Sequence, residues 1–225
     1  MLCTSSNGGM KMPKKRVLIV YYSYTQQTRI LLDRFIAGLE SADIDVVQER
    51  LEPIAPYEFP FTTNVRLATA MVTTFFQKRM AIRPVAKHCF GSWDCIVLAG
   101  PTWSYNPSGP MLDFLDRYGK EVCGGQLVVP FISCRAYWSL HYWTLKRQLC
   151  RHGSTVEKPV VFTHPVKEPW RSIGLLLKLR GEIARQHYSW FRKRYPRYGH
   201  SDEQRVEAVA QGKRLAEKLL GNSGQ

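Results

Sequence analysis

Short runs of apolar residues alternate along this chain with stretches of helical periodicity, and polar or aromatic residues separate the two. The first run, residues 17–20, is apolar at every position, which is typical of a strand covered by helices on both faces. It is followed by the hydroxyls of Ser23, Thr25 and Thr28, where a helical pattern begins. Because the amides of a first helical turn point outward, this strand, turn and helix together predict an anion site.

The same alternation predicts further strands and helices. The predicted strands are 17–20, 44–51, 94–99, 126–132 and 155–163, and the predicted helices are 26–41, 66–80, 110–118, one that ends near 151, and 202–220 with Ser201 as its N-cap. Parallel strands need crossover helices, and right-handed crossovers place these helices on both faces of the sheet. The predicted fold class is therefore α/β, a doubly wound sheet of five parallel strands in the order 2-1-3-4-5.

The domain organisation follows from this pattern. Residues 1–14 are expected to be a disordered leader, and 15–225 a single domain with an insertion at 53–90 and a basic, aromatic excursion at 165–200 before the last helix. Apolar residues recur at helical spacing in the insertion: Leu67, Met71, Val72, Phe75 and Phe76. We expect this stripe to pack on the core, with a lid over the site as the alternative. The predicted apolar face of the last helix is Val206, Val209, Ala210, Leu215 and Leu219.

Three loops are expected to meet at one edge of the sheet, since ligands of doubly wound sheets bind outside the carboxyl ends of the strands. The loop after the first strand carries hydroxyls. The loop after 94–99 carries Trp103 and Tyr105, and the loop after 126–132 carries Tyr137. This division suits a ligand that has a phosphate at one end and a flat ring at the other.

Composition and charge narrow the function classes. With 225 residues, 44% of them hydrophobic, the chain can bury a sizeable core. The six cysteines form no CxxC pair, which indicates reduced thiols in a cytoplasmic protein. The spacing of the histidines forms no ligand cluster, and no metal is predicted. No apolar run approaches the roughly 18 residues that a spanning helix needs.

The net charge of +14 is concentrated in one segment, because residues 158–198 contain ten Lys or Arg and only two acidic residues. Aromatic residues such as Trp170 and Trp190 are interspersed with these charges, as in helices that lie on anionic membranes. The segment therefore predicts docking on a membrane surface, peripheral to its inner face, with a pocket lid or a dimerisation helix as the alternative. Nucleic acid is not expected as a partner, since no RNP, zinc-finger or helix-turn-helix pattern is present.

These motifs resemble those of the flavodoxin-like flavoproteins. The resemblance covers 16–163 and the last helix, and rests on YYSYTQQT and WDCIVLAGPTWSYNPSGPM. In that family the first loop reads hydroxyl-x-Thr-Gly-x-Thr and wraps the FMN phosphate, which matches Ser23, Thr25, Gln26 and Thr28, with Gln26 where glycine is usual. The second loop flanks the flavin ring with an aromatic residue, here Trp103 or Tyr105, and the loop 133–138 touches its other side.

Within that family the chain is similar to a bacterial group labelled dialkylresorcinol condensing enzymes or flavodoxin-like NAD(P)H oxidoreductases. The similarity rests on the YYS start, the Glu-Pro and Pro-x-x-Phe-Pro stretch of 52–60, the SCRAYW loop, and the Ser-Asp-Glu helix start. It implies an FMN-dependent enzyme that takes electrons from NAD(P)H and reduces a small apolar acceptor such as a quinone or flavin. The alternative is a flavin-free accessory or cyclase-like protein of lipid or polyketide-type biosynthesis. A homodimer is an open expectation.

The cofactor-binding residues predicted on this basis are Ser23, Tyr24, Thr25, Gln26, Gln27, Thr28, Pro101, Thr102, Trp103, Ser104, Tyr105, Asn106, Cys134, Arg135 and Tyr137. Two alternatives stay open, ordinary turn and N-cap roles for the hydroxyls and plain loop packing for the aromatic residues. Catalytic residues are not predicted. Cys134 is expected to be a packed thiol, since only Arg135 is near enough in sequence to lower its pKa.

Overall fold

The computed structural model describes residues 14–182, 189–195 and 199–221. Its strands are β1 (Arg16–Tyr21), β2 (Asp45–Arg50), β3 (Cys95–Trp103), β4 (Asn106–Pro107), β5 (Leu127–Cys134), β6 (Thr155–Val156) and β7 (Val160–Thr163). Its helices are α1 (Gln27–Glu40), α2 (Asn64–Phe75), α3 (Gly109–Cys123), α4 (Trp138–Arg151), α5 (Trp170–Leu179), α6 (Ser189–Arg194) and α7 (Asp202–Gly221). The predicted leader, apart from Lys14, and parts of the basic excursion lie outside the described residues.

The sheet is parallel and has the order β2-β1-β3-β5-β6, with β7 also paired to β5. This confirms the predicted arrangement of five parallel positions. The sheet counts seven strands because β4 forms a short antiparallel pair with the end of β3, and because the predicted strand 155–163 is divided into β6 and β7. Pro159 lies between these two short strands and cannot donate a ladder hydrogen bond.

Helices cover both faces of the sheet, as the continuous apolar strands predict. Side chains of β1 alternate between two cores: Val17 and Ile19 pack with α1 and α7, whereas Leu18 and Val20 pack with α3 and α4. All four of these β1 side chains are fully buried. The chain therefore forms a three-layered α/β unit whose strand ends are free to carry loops.

Helix α7 begins as predicted and buries Leu215 and Leu219 of the predicted face, but the rest of its buried face differs. The amide of Gln204 donates to Ser201 Oγ at 3.3 Å, so Ser201 is the N-cap. Val206 is 71% exposed, and the buried residues are Ala208, Gly212, Leu215, Ala216 and Leu219. The reason is close packing of two glycines, since a Cβ on Gly212 would lie 2.1 Å from Phe35 O and one on Gly38 would lie 2.2 Å from Val209 O.

Helix α2 contradicts the prediction that its apolar stripe packs on the core. Its buried residues are Leu67, Ala70 and Thr74, while Met71, Val72, Phe75 and Phe76 are about half or more exposed. Leu67 and Ala70 pack with Phe61 in a small separate cluster rather than in either main core. The helix also ends at Phe75 rather than at 80, since Gln77 adopts a φ of 57°. Among the described residues, no helix combines the length and apolarity needed to cross a bilayer.

Candidate functional site

A cavity of about 500 Å³ opens at the carboxyl edge of the sheet, a size typical of small-molecule sites. The loops after β1, β3 and β5 converge on it, as expected from the strand order. Twelve of the fifteen predicted residues line it, namely Tyr24, Thr25, Gln27, Thr28, Pro101, Thr102, Trp103, Ser104, Tyr105, Cys134, Arg135 and Tyr137. Three loops that are distant in sequence thus contribute side chains to one cavity.

The other three predicted residues, Ser23, Gln26 and Asn106, are not in the cavity wall. Ser23 is buried, and its hydroxyl accepts the amide of Arg29 at 3.3 Å, inside the first turn of α1. Asn106 is buried and donates to the carbonyl of Phe75 at 2.9 Å, which holds the end of α2. The side chain of Gln26 is exposed. Ser23 and Asn106 thus hold the backbone around the cavity through their side chains, and Gln26 contributes its backbone as the N-cap of α1.

The loop between β1 and α1, which we call the hydroxyl loop (residues 23–28), forms one end of the cavity. Gln26 is the N-cap of α1 and adopts a left-handed backbone with φ 63° and ψ −2°. The first intrahelical bond runs from the amide of Ile30 to Gln26 O at 3.0 Å. The amides of the preceding turn have no acceptor within the helix, and Thr25 and Thr28 lie beside them in the cavity wall. This end of the cavity can hold an anion without any charged side chain.

Left-handed backbone is concentrated around the cavity. The non-glycine residues with positive φ in the described part of the chain are Gln26, Asp43, Gln77, Ser104, Tyr105 and Tyr137. Four of these six belong to the loops after β1, β3 and β5. Such conformations cost on the order of 1–2 kcal/mol each and persist where the surroundings enforce them, which is a feature of binding sites.

Two tyrosines from different loops meet at the other end of the cavity. The rings of Tyr105 and Tyr137 have centroids 5.4 Å apart at 57°, and the residues are 41% and 56% exposed. A flat ring held between them would need a gap of roughly 7 Å, twice the usual carbon–carbon contact distance. The two side chains must therefore move apart before they can enclose a ring.

Trp103, the other predicted stacking residue, is enclosed on several sides. Its ring contacts Tyr22, Tyr24 and Tyr57, with centroids 5.5, 5.7 and 5.6 Å away. The first two contacts are edge-to-face, a favourable arrangement for aromatic pairs. Trp103 therefore forms part of the cavity wall, while Tyr105 and Tyr137 present the accessible ring faces.

Below the hydroxyl loop lies a polar cluster that we call the cavity floor: Gln27, Ser133, His164, Tyr195 and His200. His200 Nδ1 donates to Gln204 Oε1 at 3.1 Å, and its Nε2 accepts the Ser133 hydroxyl at 2.8 Å. The amide of His200 donates to Gln27 Oε1 at 3.2 Å, which connects the last loop to the start of α1. His164 stacks on Tyr195 at 7°, with its Nε2 3.3 Å from the tyrosine hydroxyl.

Both floor histidines are neutral at physiological pH. Burial lowers the pKa of His164 to about 4, and burial likewise lowers the pKa of His200. Sequence reasoning missed both as site residues. His164 directly follows β7, so its position at a strand end was an available signal, whereas His200 reaches the floor only through tertiary packing. The floor consequently offers hydrogen bonds without net charge.

Thr102 and Cys134 line the cavity, and both they and the histidine behind Thr102 stay uncharged at neutral pH. Thr102 Oγ1 lies 2.8 Å from Nδ1 of His141, which is 2% exposed. Burial lowers the pKa of His141 to about 3, so the ring stays neutral and orients the Thr102 hydroxyl. Burial raises the pKa of Cys134 to about 12. Cys134 is therefore a packed thiol and does not act as a thiolate nucleophile at neutral pH.

A positively charged group lies where α5 approaches the cavity. Glu168 Oε1 pairs with Arg171 Nε at 3.1 Å and with Arg135 Nε at 3.9 Å. Arg135 Nη1 also donates to the hydroxyl of Ser172 at 3.0 Å. The hydroxyl of Ser172, with further help from Arg171, keeps the pKa of Glu168 below its ordinary value. One carboxylate faces two guanidinium groups, so this side of the cavity is net positive.

Outside the cavity, Glu49, His88 and Cys89 place ligand-type atoms within 4.8 Å of one another, a cluster that the sequence spacing did not reveal. His88 Nε2 lies 3.2 Å from Glu49 Oε2. Glu49 also accepts the amide of Ala86 at 3.1 Å, and burial raises the pKa of Cys89 to about 12. A contact between a histidine and a carboxylate beside a protonated, buried thiol accounts for this arrangement.

Comparison with known proteins extends the picture of the fold. No protein-family model matches the sequence. No curated protein matches it either. An archaeal flavodoxin matches the structure with a TM-score of 0.55 and 16% identity, over 91% of this chain and 99% of the flavodoxin. A flavoprotein in complex with FMN from Lactobacillus acidophilus NCFM matches with a TM-score of 0.52 and 17% identity, over 65% and 93%.

A larger enzyme contains the same unit. Rubredoxin oxygen:oxidoreductase from Desulfovibrio gigas matches with a TM-score of 0.52 and 11% identity, over 95% of this chain and 38% of the enzyme. The structural neighbours are flavodoxin-like flavoproteins, and at these identities they show the fold alone. The chain therefore has the flavodoxin-like fold, with a cavity at the strand ends where doubly wound sheets bind their ligands.

Proposed function

We propose that the protein binds FMN in this cavity and is an oxidoreductase that uses NAD(P)H to reduce a small apolar acceptor such as a quinone. The proposal rests on one observation: the two ends of the cavity differ in their chemistry. One end, at the start of α1, can hold an anion without any charged side chain. The accessible rings of Tyr105 and Tyr137 lie at the other end. The flavoprotein from Lactobacillus acidophilus NCFM, whose structure holds FMN, supports the same ligand.

The residues fit FMN at both ends. Thr25, Thr28 and the first-turn amides of α1 would hold the phosphate, because hydroxyls and helix amides are its usual donors. The left-handed backbone of Gln26 supports this role, since it gives a non-glycine residue the conformation that glycine adopts easily. Tyr105 and Tyr137 would flank the ring. Bound FMN supplies hydride and single-electron chemistry, and the protein supplies binding and orientation.

The remaining walls of the cavity suit the apolar acceptor and NAD(P)H, the two other reactants of the proposal. Apolar side chains of α2 and α5, including Met71, Phe75 and Leu175, line the cavity and would receive the apolar acceptor. Arg135 and Arg171 also line it, and their net positive group would receive the phosphates of NAD(P)H. Cys134 and His141 stay neutral, so the chain's own contribution is to position the reactants rather than to transfer protons through these groups.

The first test is the purified protein itself. We expect the visible absorption of oxidised flavin, and quenching of FMN fluorescence when FMN is added to stripped protein. Thr25→Val and Thr28→Val together should weaken FMN binding at least about tenfold, because each removes a charge-assisted hydrogen bond. Thr69→Val, an exposed threonine on α2 outside the cavity, is the matched control. A colourless protein that leaves FMN fluorescence unchanged would exclude the proposal.

A second candidate function has its own observation. Tyr105 and Tyr137 contact each other, so the place for a flavin ring is filled by their side chains. This contact favours a flavin-free protein that uses the cavity for an apolar ligand. Such a protein would serve as an accessory or cyclase-like component of lipid or polyketide-type biosynthesis, in keeping with the resemblance to the dialkylresorcinol group. Tryptophan fluorescence that responds to a long-chain resorcinol but not to FMN would support this candidate over the first.

A further inference from the structure

The cavity opens between two helices that expose apolar side chains. We call this opening the cavity mouth and define it by Met71, Val72 and Phe75 on α2, by Phe76 directly after that helix, and by Leu176 on α5. All five line the cavity, and they are 47%, 57%, 51%, 75% and 40% exposed. If α2 buried its apolar stripe, as the sequence predicts, Phe75 and Phe76 would not be exposed to water. The exposure therefore indicates a surface that is covered by something outside the described chain.

Helix α5 is unusual because almost none of its apolar residues is buried. Its sequence is WRSIGLLLKL, and only Gly174 is buried, against the ring of Tyr195. Ile173 is 38% exposed, and Trp190 of the neighbouring α6 is 51% exposed. Hydrogen bonds hold both ends of the helix: Arg135 donates to Ser172 Oγ at 3.0 Å near its start, and Leu179 O accepts the amide of Phe61 at 2.8 Å at its end. It rests on the protein surface instead of inserting into a core.

Basic residues are frequent in the sequence that carries α5 and α6. The segment 158–198 has a surplus of eight positive charges, being ten basic residues less two acidic ones. Both acids have arginine neighbours, Glu168 at 3.1 Å from Arg171 and Glu182 at 3.9 Å from Arg180. Arg194 lies over the ring of Trp170, 4.8 Å from its centroid. Exposed Leu, Phe and Trp among Lys and Arg are the residues that lie at the surface of anionic bilayers.

We propose that the cavity mouth, together with α5 and α6, docks on an anionic lipid bilayer. The charge surplus selects this occupant over a second copy of the chain. In a two-fold dimer the same basic segment would face itself, and the like charges would repel each other. Anionic lipid headgroups instead attract the basic side chains while the acyl region receives Phe75, Phe76 and Leu176. Docked in this way, the cavity faces the lipid, and an apolar ligand can pass from the bilayer into it without crossing water.

The test is co-sedimentation of the full chain with vesicles of phosphatidylcholine, with and without phosphatidylglycerol. We expect binding to the mixed vesicles, at least about tenfold weaker binding to the neutral ones, and only partial release by salt, because salt screens the charges but not the apolar insertion. The double variant Phe75→Glu/Phe76→Glu and the single variant Leu176→Glu should each lose at least about tenfold in binding to the mixed vesicles.

The matched control is Val206→Glu, which adds the same single charge as Leu176→Glu at an apolar residue of α7 that is 71% exposed. It should bind like the wild type, and thermal unfolding by circular dichroism should show that all variants fold. The proposal is overturned if the wild type ignores the mixed vesicles, or if it binds neutral vesicles equally well. It is also overturned if the mouth variants bind like Val206→Glu. A wild-type dimer that the mouth variants convert to monomer would assign the surface to a second copy instead.

Discussion

At the cavity floor, side chains from distant parts of the chain hold each other by hydrogen bonds, whereas at the cavity mouth apolar side chains extend from two helices into solvent. Ser133, His164, Tyr195 and His200 are each buried or half-buried and bonded to a named partner. Phe76 at the mouth is 75% exposed. The contrast separates two tasks, since a satisfied, buried network fixes geometry, while exposed apolar surface is kept for a partner or ligand.

The largest expected effect is a loss of stability in acid. It acts on the buried histidines, among them His164 and His200 of the cavity floor. The pKa values of His141 and His164 lie near 3 and 4 in the folded protein, below the ordinary 6.5, and that of His200 is also lowered. Below pH 6.5 the unfolded chain therefore binds more protons than the folded one. Stability is intact above this pH and falls as the pH drops, by on the order of 1 kcal/mol per pH unit for each histidine.

The measurement is urea unfolding at intervals between pH 7.5 and pH 4.5. We expect a decline of several kcal/mol that starts near pH 6.5. His141→Asn removes one titrating ring at a buried position and should make the decline shallower even if it lowers stability at neutral pH. A stability that stays constant down to pH 5 would show that the histidines take up protons without unfolding, and the fixed geometry ascribed to the floor would then be wrong.

The next prediction compares a buried residue of α2 with an exposed residue directly after that helix. Leu67 of α2 is 7% exposed and packs with Phe61 and Ala70, whereas Phe76 follows the same helix and is 75% exposed. Leu67→Ala should cost about 2–3 kcal/mol through the cavity it leaves. Phe76→Ala should change stability by less than about 0.5 kcal/mol, as substitutions of exposed residues usually do.

Chemical denaturation of both variants at pH 7.5 tests this difference. If Phe76→Ala proves as costly as Leu67→Ala, then the aromatic ring is buried in solution. The cavity mouth would in that case be part of the core, as the amphipathic pattern predicted, and the docking surface would not exist.

Features that depend on local sequence patterns could be predicted, whereas those that depend on packing between distant segments could not. The strands, their order, and the convergence of three loops follow from apolar runs and crossover handedness, which are local patterns joined by a general rule. Twelve of the predicted residues line the cavity because they lie at or just after the ends of strands. The direction of the α2 stripe could not be predicted, because the same periodicity serves a helix facing the core or a cavity. His200 could not be predicted either, since its contacts to Ser133 and Gln27 join distant segments.

The smallest effect concerns Gln26, where the polar end of the cavity meets the start of α1. Its φ of 63° is a conformation that costs a non-glycine residue about 1 kcal/mol or more, and Gln26→Gly removes that cost while making the unfolded chain more flexible. The net expectation is a gain of about 0.5–1 kcal/mol in stability. Asp43→Gly is the matched control, since Asp43 has a φ of 62° in the exposed turn between α1 and β2. Asp43→Gly should gain less stability in urea, because it also removes the surface ion pair between Asp43 and Lys14. Only Gln26→Gly should also tighten FMN binding, because the N-cap beside the phosphate then adopts its left-handed backbone without strain. Equal FMN affinity in all three proteins would place the anion away from the hydroxyl loop, and the difference between floor and mouth would have to be explained without a bound phosphate.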